Sequence, residues 1–244
     1  MGRLKLSGGT CAFLLLMSIA CHHTGTSDGN EPPRPENKVI PEAAAPLHPT
    51  GKGLAYNFDG DPQGQIPTKF HEALTGQGAR AQWIVKADSS APSQPNVLAQ
   101  VSADKPDYRF PLAIADEASF QDLDLAVKFK AVSGEVDRAA GMVFRLKDAN
   151  NYYIVRANAL ENNYRLYRVV SGNRQQIAGA NVKVASGEWH ELRVECVGNR
   201  ISCFYDGEKK IESSDDTFKD AGKVGLWTKA DSITYFDDLT VTAR

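Results

Sequence analysis

The chain has 244 residues, 42% hydrophobic and 24% charged, with a formal net charge of −2. That is apolar material for one sizeable core. The near-neutral balance gives the folded part no electrostatic reason to hold nucleic acid or an anionic membrane surface.

Arg3 and Lys5 precede an apolar run from Cys11 to Ala20 that is too short to cross a bilayer, so residues 1–20 read as an export signal. The run ends in Ser18-Ile19-Ala20-Cys21, which resembles a bacterial lipobox with Cys21 as the lipidated residue; plain secretory cleavage nearby is the alternative. Residues 21–53 then carry six prolines among Gly, Ser, Thr and charged residues, without aromatic or periodic apolar positions. Such a segment cannot bury enough surface to fold and reads as a disordered tether. The expected location is the bacterial cell envelope, with a lipid anchor as the membrane contact.

From residue 54 onward the chain alternates. Leu54, Tyr56 and Phe58 form a first strand that ends at Asp59-Gly60-Asp61-Pro62, a turn sequence. Gln82 to Asp88, Val97 to Val101 and Tyr108 to Ile114 follow as short strands. In Phe120 to Val132, Leu123, Leu125, Val127 and Phe129 point one way while Asp124, Lys128 and Lys130 point the other. Ala139 to Val170 reads as three consecutive antiparallel strands. A turn at Asp148-Ala149-Asn150-Asn151 pairs Leu146 with Tyr153, Phe144 with Val155 and Met142 with Ala157. A loop from Ala159 to Asn162 then sets Tyr164 opposite Ala157 and Leu166 opposite Val155. Further strands are expected at Arg174–Ala178, Glu188–Val197, Arg200–Tyr205, Lys209–Glu212, Gly222–Thr228 and Ser232–Thr242. No segment carries a sustained helical stripe, so the fold class is an all-β, two-sheet antiparallel sandwich over residues 54–244.

The three central strands leave Arg145, Tyr152, Arg156, Asn158, Arg165 and Tyr167 on one face, with Arg156 directly opposite Arg165. Like charges facing each other on a sheet are unfavourable, so this face is the candidate binding surface. Cys196 and Cys203 lie on a hairpin turning at Gly198-Asn199. Cys196 faces Ile201, which leaves the two sulfurs diagonal and favours buried thiols; a bulge at the turn would instead favour a disulfide. In Ile233, Tyr235, Asp237, Leu239 and Val241 the alternation aims Asp237 inward, where a carboxylate must be hydrogen-bonded, paired or metal-bound.

Gly187 to Glu195 (GEWHELRVE), Tyr205 to Phe218 (YDGEKKIESSDDTF) and Gly222 to Val241 (GKVGLWTKADSITYFDDLTV) resemble concanavalin A-like lectin/glucanase sandwiches. With FRLKDANNYYIVRANALENNYRLYRV, the chain is similar to the bacterial 3-keto-disaccharide hydrolase family. The resemblance implies a jelly-roll sandwich that binds carbohydrate on a concave sheet, here the face of Arg145, Arg156, Arg165 and Tyr167, and possible glycoside hydrolase or lyase activity. It also implies a structural calcium held by Asp237, with Asp59 or Asp61 brought near if the first and last strands are neighbours. The Glu-x-Asp-x-x-Glu strand of retaining glucanases is absent, because Glu135-Val136-Asp137-Arg138-Ala139-Ala140 has alanine where the second carboxylate must stand. The remaining candidate acids and bases are Glu161, Glu135 and Asp137, while His190 shares a face with apolar residues and reads as a core histidine. Two functions follow: a tethered module that binds or cleaves a glycoside, or a non-catalytic structural or adhesion domain of the envelope.

Overall fold

The computed structural model describes residues 53–244. The expected export signal, Cys21 and the tether up to residue 52 lie outside the described residues. Among the described residues, fifteen strands form two antiparallel sheets that face each other. The first sheet runs β13 (Glu208–Ser214), β12 (Arg200–Tyr205), β11 (Trp189–Val197), β6 (Leu123–Ser133), β15 (Ile233–Ala243), β4 (Asn96–Gln100) and β3 (Trp83–Ala87), with β1 (Gly53–Tyr56) also paired to β15. The second runs β10 (Asn173–Asn181), β9 (Asn163–Val170), β8 (Asn151–Asn158), β7 (Ala139–Asp148), β14 (Gly222–Trp227), β5 (Arg109–Phe120) and β2 (Phe70–Gly76). This is the expected all-β two-sheet sandwich. β2, with the sequence FHEALTG, has no clean alternation and no sequence signal marked it.

The main core lies between the sheets. Leu123, Leu125, Val127 and Phe129 of β6 are buried there with Met142 and Phe144 of β7 and Val155 of β8. Each such side chain, fully removed from water, contributes about 1.5–3 kcal/mol. The β8–β9 register is the one the alternation requires, with Ala157 opposite Tyr164, Val155 opposite Leu166 and Arg156 opposite Arg165.

Two bulges change what period-2 reading implies. β7 pairs Phe144 with Tyr153 and Met142 with Val155, two residues away from the expected register, because the ladder breaks between Phe144 and Asp148. Arg145 sits in this bulge at φ 46°. Leu146 is thereby turned to the far face of the second sheet, and the Arg145 side chain to the end of the sandwich. In β15 the ladder breaks between Asp237 and Thr240, with Asp238 at φ 50°. Phe236 and Leu239 enter the core, while Asp237 pairs opposite Lys128 on the outer face of the first sheet. Asp237 is therefore buried from outside, under the 88–95 segment, and the inward aim expected for it is corrected.

The far face of the second sheet is packed as well. Phe110, Val143, Tyr152, Ile154, Val169 and Trp227 form a second apolar cluster there. The sheet curls until distant elements touch. The Thr75 hydroxyl of β2 donates to Ala149 O in the β7–β8 turn at 2.5 Å, and the Tyr108 hydroxyl, just before β5, donates to Gly172 O in the β9–β10 turn. The face expected to be the binding surface is therefore largely filled by its own side chains.

Candidate functional site

At the end of the second sheet where β7 starts and β8 ends, side chains from four segments meet. Asp137 precedes β7, Arg156 and Asn158 are on β8, Glu161 is in the β8–β9 loop, and Lys229 follows β14. Asp137 is 1% exposed. Its Oδ1 accepts from Asn158 Nδ2 at 2.8 Å, and its Oδ2 lies 2.8 Å from Lys229 Nζ in an ion pair. Lys229 is also paired with Asp107 at 2.5 Å. Arg156 donates to Glu161 Oε2 at 3.0 Å, Asn163 Oδ1 at 3.2 Å and the Tyr167 hydroxyl at 3.2 Å. Asn163 donates to the same Glu161 oxygen at 2.8 Å.

The two carboxylates are driven apart. Burial raises Asp137 above the ordinary aspartate range in spite of Lys229 and Arg156. Burial also opposes ionisation of Glu161, but the hydrogen bonds from Asn163 and Arg156 outweigh it and hold that carboxyl low. The Glu161 side chain is 48% exposed, so it meets solvent while Asp137 does not. Asp231 holds the floor in place. Its carboxylate accepts from the backbone N–H groups of Glu135 at 2.8 Å, Val136 at 3.1 Å and Asp137 at 3.0 Å. Burial works against the Asp231 charge, yet these donors keep its pKa lowered.

The unfavourable Arg156–Arg165 pairing is relieved by turning the two guanidinium groups to different acceptors. Arg165 donates to Ala180 O at 2.6 Å and Asn181 Oδ1 at 3.1 Å, folded over β10. Gly179 makes room for it, since a Cβ there would lie 2.3 Å from Arg165 Cδ.

Residues 78–242, more than half of the chain, match the family described as the 3-keto-alpha-glucoside-1,2-lyase-like domain. The chain belongs to that family. No curated protein matches the sequence. Among solved structures, a carbohydrate-binding module CBM66 from Bacillus subtilis is similar with a TM-score of 0.57 at 19% identity, covering 70% of this chain and 94% of that one. A protein of unknown function with a galectin-like fold, also from Bacillus subtilis, reaches 0.50 at 11% identity, covering 78% and 98%. The GH43 protein BlXynB (K247S mutant) from Bacillus licheniformis reaches 0.50 at 15% identity, covering 78% of this chain and 39% of that one. At these identities the likeness is one of fold.

In this lyase-like domain, Asp137, Arg156, Asn158, Glu161 and Tyr167 come together; the other expected residues do not. Glu135 is exposed and paired with Lys105 at 2.7 Å. Tyr152 is fully buried, bonded to Thr75 Oγ1 at 2.8 Å, and burial pushes its hydroxyl up to about 12. Arg145 is a clamp at the other end of β7, donating to Gln121 O at 2.7 Å, Phe218 O at 2.8 Å, Gly198 O at 2.6 Å and Asp122 Oδ1 at 3.2 Å. It does not share a face with Arg156 and Tyr167, because the bulge turns it to the other end of the sheet.

The expected calcium pair does not converge either. Asp237 accepts from Ser93 N at 2.8 Å, Ser93 Oγ at 2.9 Å and Asp238 N at 2.8 Å. Asp59 accepts instead from Asn96 N at 3.0 Å and Asn57 Nδ2 at 2.9 Å. Among the described residues no three His, Cys, Asp or Glu side chains gather as a metal site. His190 packs on Tyr205 and Phe129, with Nδ1 2.8 Å from Asp206. Cys196 and Cys203 are buried free thiols, with Cys196 opposite Ile201 as expected. Lys229 and Asp107 escaped sequence reasoning because nothing in TKADS or KPDY marks a loop residue as bound for a distant strand end.

Proposed function

We propose that this lyase-like domain binds a 3-keto-glucoside at the Arg156–Glu161 end of the second sheet and eliminates its glycosidic oxygen. The observation that carries the reading is the pair of carboxylates in one charged cluster, Asp137 raised by burial and Glu161 held low by Asn163 and Arg156. Separating two like groups in this way gives them separate roles. In a 3-keto-glucoside the hydrogen on C2 is acidic, because it lies next to the C3 carbonyl. Glu161, ionised and half exposed, takes that proton, and the C–H electron pair becomes an enolate whose oxygen is stabilised by the cations of Arg156 and Lys229. The enolate then forms the C1–C2 double bond as the C1–O bond breaks, and the departing oxygen recovers the proton from Glu161. Asp137, deeply buried, positions Lys229 rather than meeting substrate.

Glu161→Gln is expected to lower turnover of a 3-keto-glucoside, followed by enone absorbance, by roughly 10²–10⁴-fold with the unfolding midpoint preserved. Full turnover in that variant would overturn the assignment. We further propose that the chain is exported and anchored through a lipid on Cys21. Cys21→Ala should then move it from the membrane fraction to the soluble one.

A further inference from the structure

Arg174 of β10 stands apart from the other described arginines. Each of those gives its guanidinium at least one oxygen partner, from Arg80 with Glu72 to Arg109 with three carbonyls and Ser102 Oγ. The Arg174 guanidinium has no oxygen partner among the described residues: only its backbone N–H reaches a side chain, the Tyr108 hydroxyl, and its Nη1 is buried without a partner. The guanidinium lies 4.7 Å from the Phe110 ring centroid, 4.7 Å from Tyr167 and 5.8 Å from Trp227. A guanidinium cannot shed its charge. Aromatic faces offset part of the desolvation of such a cation but supply no acceptor for its in-plane donors. Nη1 is closed in against the rings, whereas Nε and Nη2 are neither buried nor bonded to a protein oxygen; that edge is suited to a planar anion, and the carboxylate is the one that matches it in two parallel bonds.

Its position adds the second half of the argument. Two guanidinium groups approach the Tyr167 ring, Arg174 at 4.7 Å and Arg156 at 5.7 Å from its centroid. Arg156 in turn holds Glu161. One sugar unit beside Glu161 and its neighbour beside Arg174 would thus span the buried Tyr167, which holds both guanidinium groups in place. We propose that Arg174 is the subsite for a sugar carboxylate, so that the glycoside taken by this domain is an acidic one carrying a uronic acid. This rests on the glycoside reading given above.

The test uses the full-length chain and isothermal titration with a glucuronate-containing disaccharide and its neutral glucose counterpart. The wild type is expected to prefer the uronate by tenfold or more. Arg174→Gln should erase that preference, so that the two sugars bind alike, and Arg174→Lys should restore part of it. Arg174→Lys, which keeps the charge and most of the packing, also serves if the glutamine variant is unstable. Equal affinity for both sugars in the wild type, or an undiminished preference in Arg174→Gln, overturns the inference and leaves the glycoside reading intact. A folded wild type that binds neither sugar and turns over no 3-keto-glucoside overturns both.

Discussion

Arg145→Met separates a binding residue from a structural one. The side chain is 1% exposed and gives its donors to three carbonyls and the Asp122 carboxylate. Methionine replaces the aliphatic stem but none of the donors. Phe218 O is then left without its buried donor, at a cost of about 1–3 kcal/mol, whereas Gly198 O and Asp122, near the surface, recover hydrogen bonds from water. With the lost ion pair and the bulge geometry that depends on the fork, the total should be about 3–4 kcal/mol. At a urea dependence of about 2 kcal/mol per M, the unfolding midpoint falls by roughly 1.5–2 M. Tryptophan fluorescence during urea titration reads this, with saccharide titration run in parallel below the transition. An unchanged midpoint together with lost saccharide binding would return Arg145 to the binding face and refute the clamp.

Asp237→Asn tests the buried carboxyl under the 88–95 segment, which burial pushes up to about 6. A carboxyl raised in the folded state holds more protons folded than unfolded between roughly pH 4 and 6, so its contribution to stability falls as pH rises through that window. The wild type should lose on the order of 2 kcal/mol across it, and the asparagine variant should lack that slope in denaturation measured at several pH values. Asp231→Ala removes three backbone anchors below Asp137 and should cost roughly 2–3 kcal/mol, measured by denaturation, and should also lower turnover by displacing Lys229. Because the Asp231 carboxyl is held low, its stabilisation should fade as pH falls below about 4 in the wild type alone. Burial pushes the Cys196 thiol up to about 11 and the Cys203 thiol higher still. Neither should react with iodoacetamide in the folded chain, and mass spectrometry should find both modified only after unfolding.

Strand identity was legible where one face is buried and the other wet. β6 shows this best, since Leu123 to Phe129 sort as their alternation requires. The β8–β9 register was legible for the same reason. What alternation cannot report is a residue that leaves the repeat. Arg145 and Asp238 each turn into the left-handed region, and beyond them every side chain changes face. The candidate site was half legible. Arg156, Asn158, Glu161 and Tyr167 lie within one hairpin, so local spacing brings them together. Lys229, Asp107 and Arg174 arrive through the curl of the second sheet, a property of the whole sheet rather than of any segment. The same curl buries Tyr152, which strict alternation assigns to the candidate binding surface.

The place of β15 has a consequence for the order in which the molecule is assembled. It lies between β6 on one side and β4 with β1 on the other, so the last of the described strands joins parts made long before it. Ribosomal synthesis delivers Gly53 long before Thr242, yet the two are paired. Until those eleven residues emerge, β1 has no partner and the first sheet is split in two. Such long-range pairing slows folding and leaves open strand edges exposed in the meantime. A nascent chain halted just before Ile233 should therefore be protease-sensitive throughout the first sheet, and release of the final strand should convert it to the resistant form in a single step.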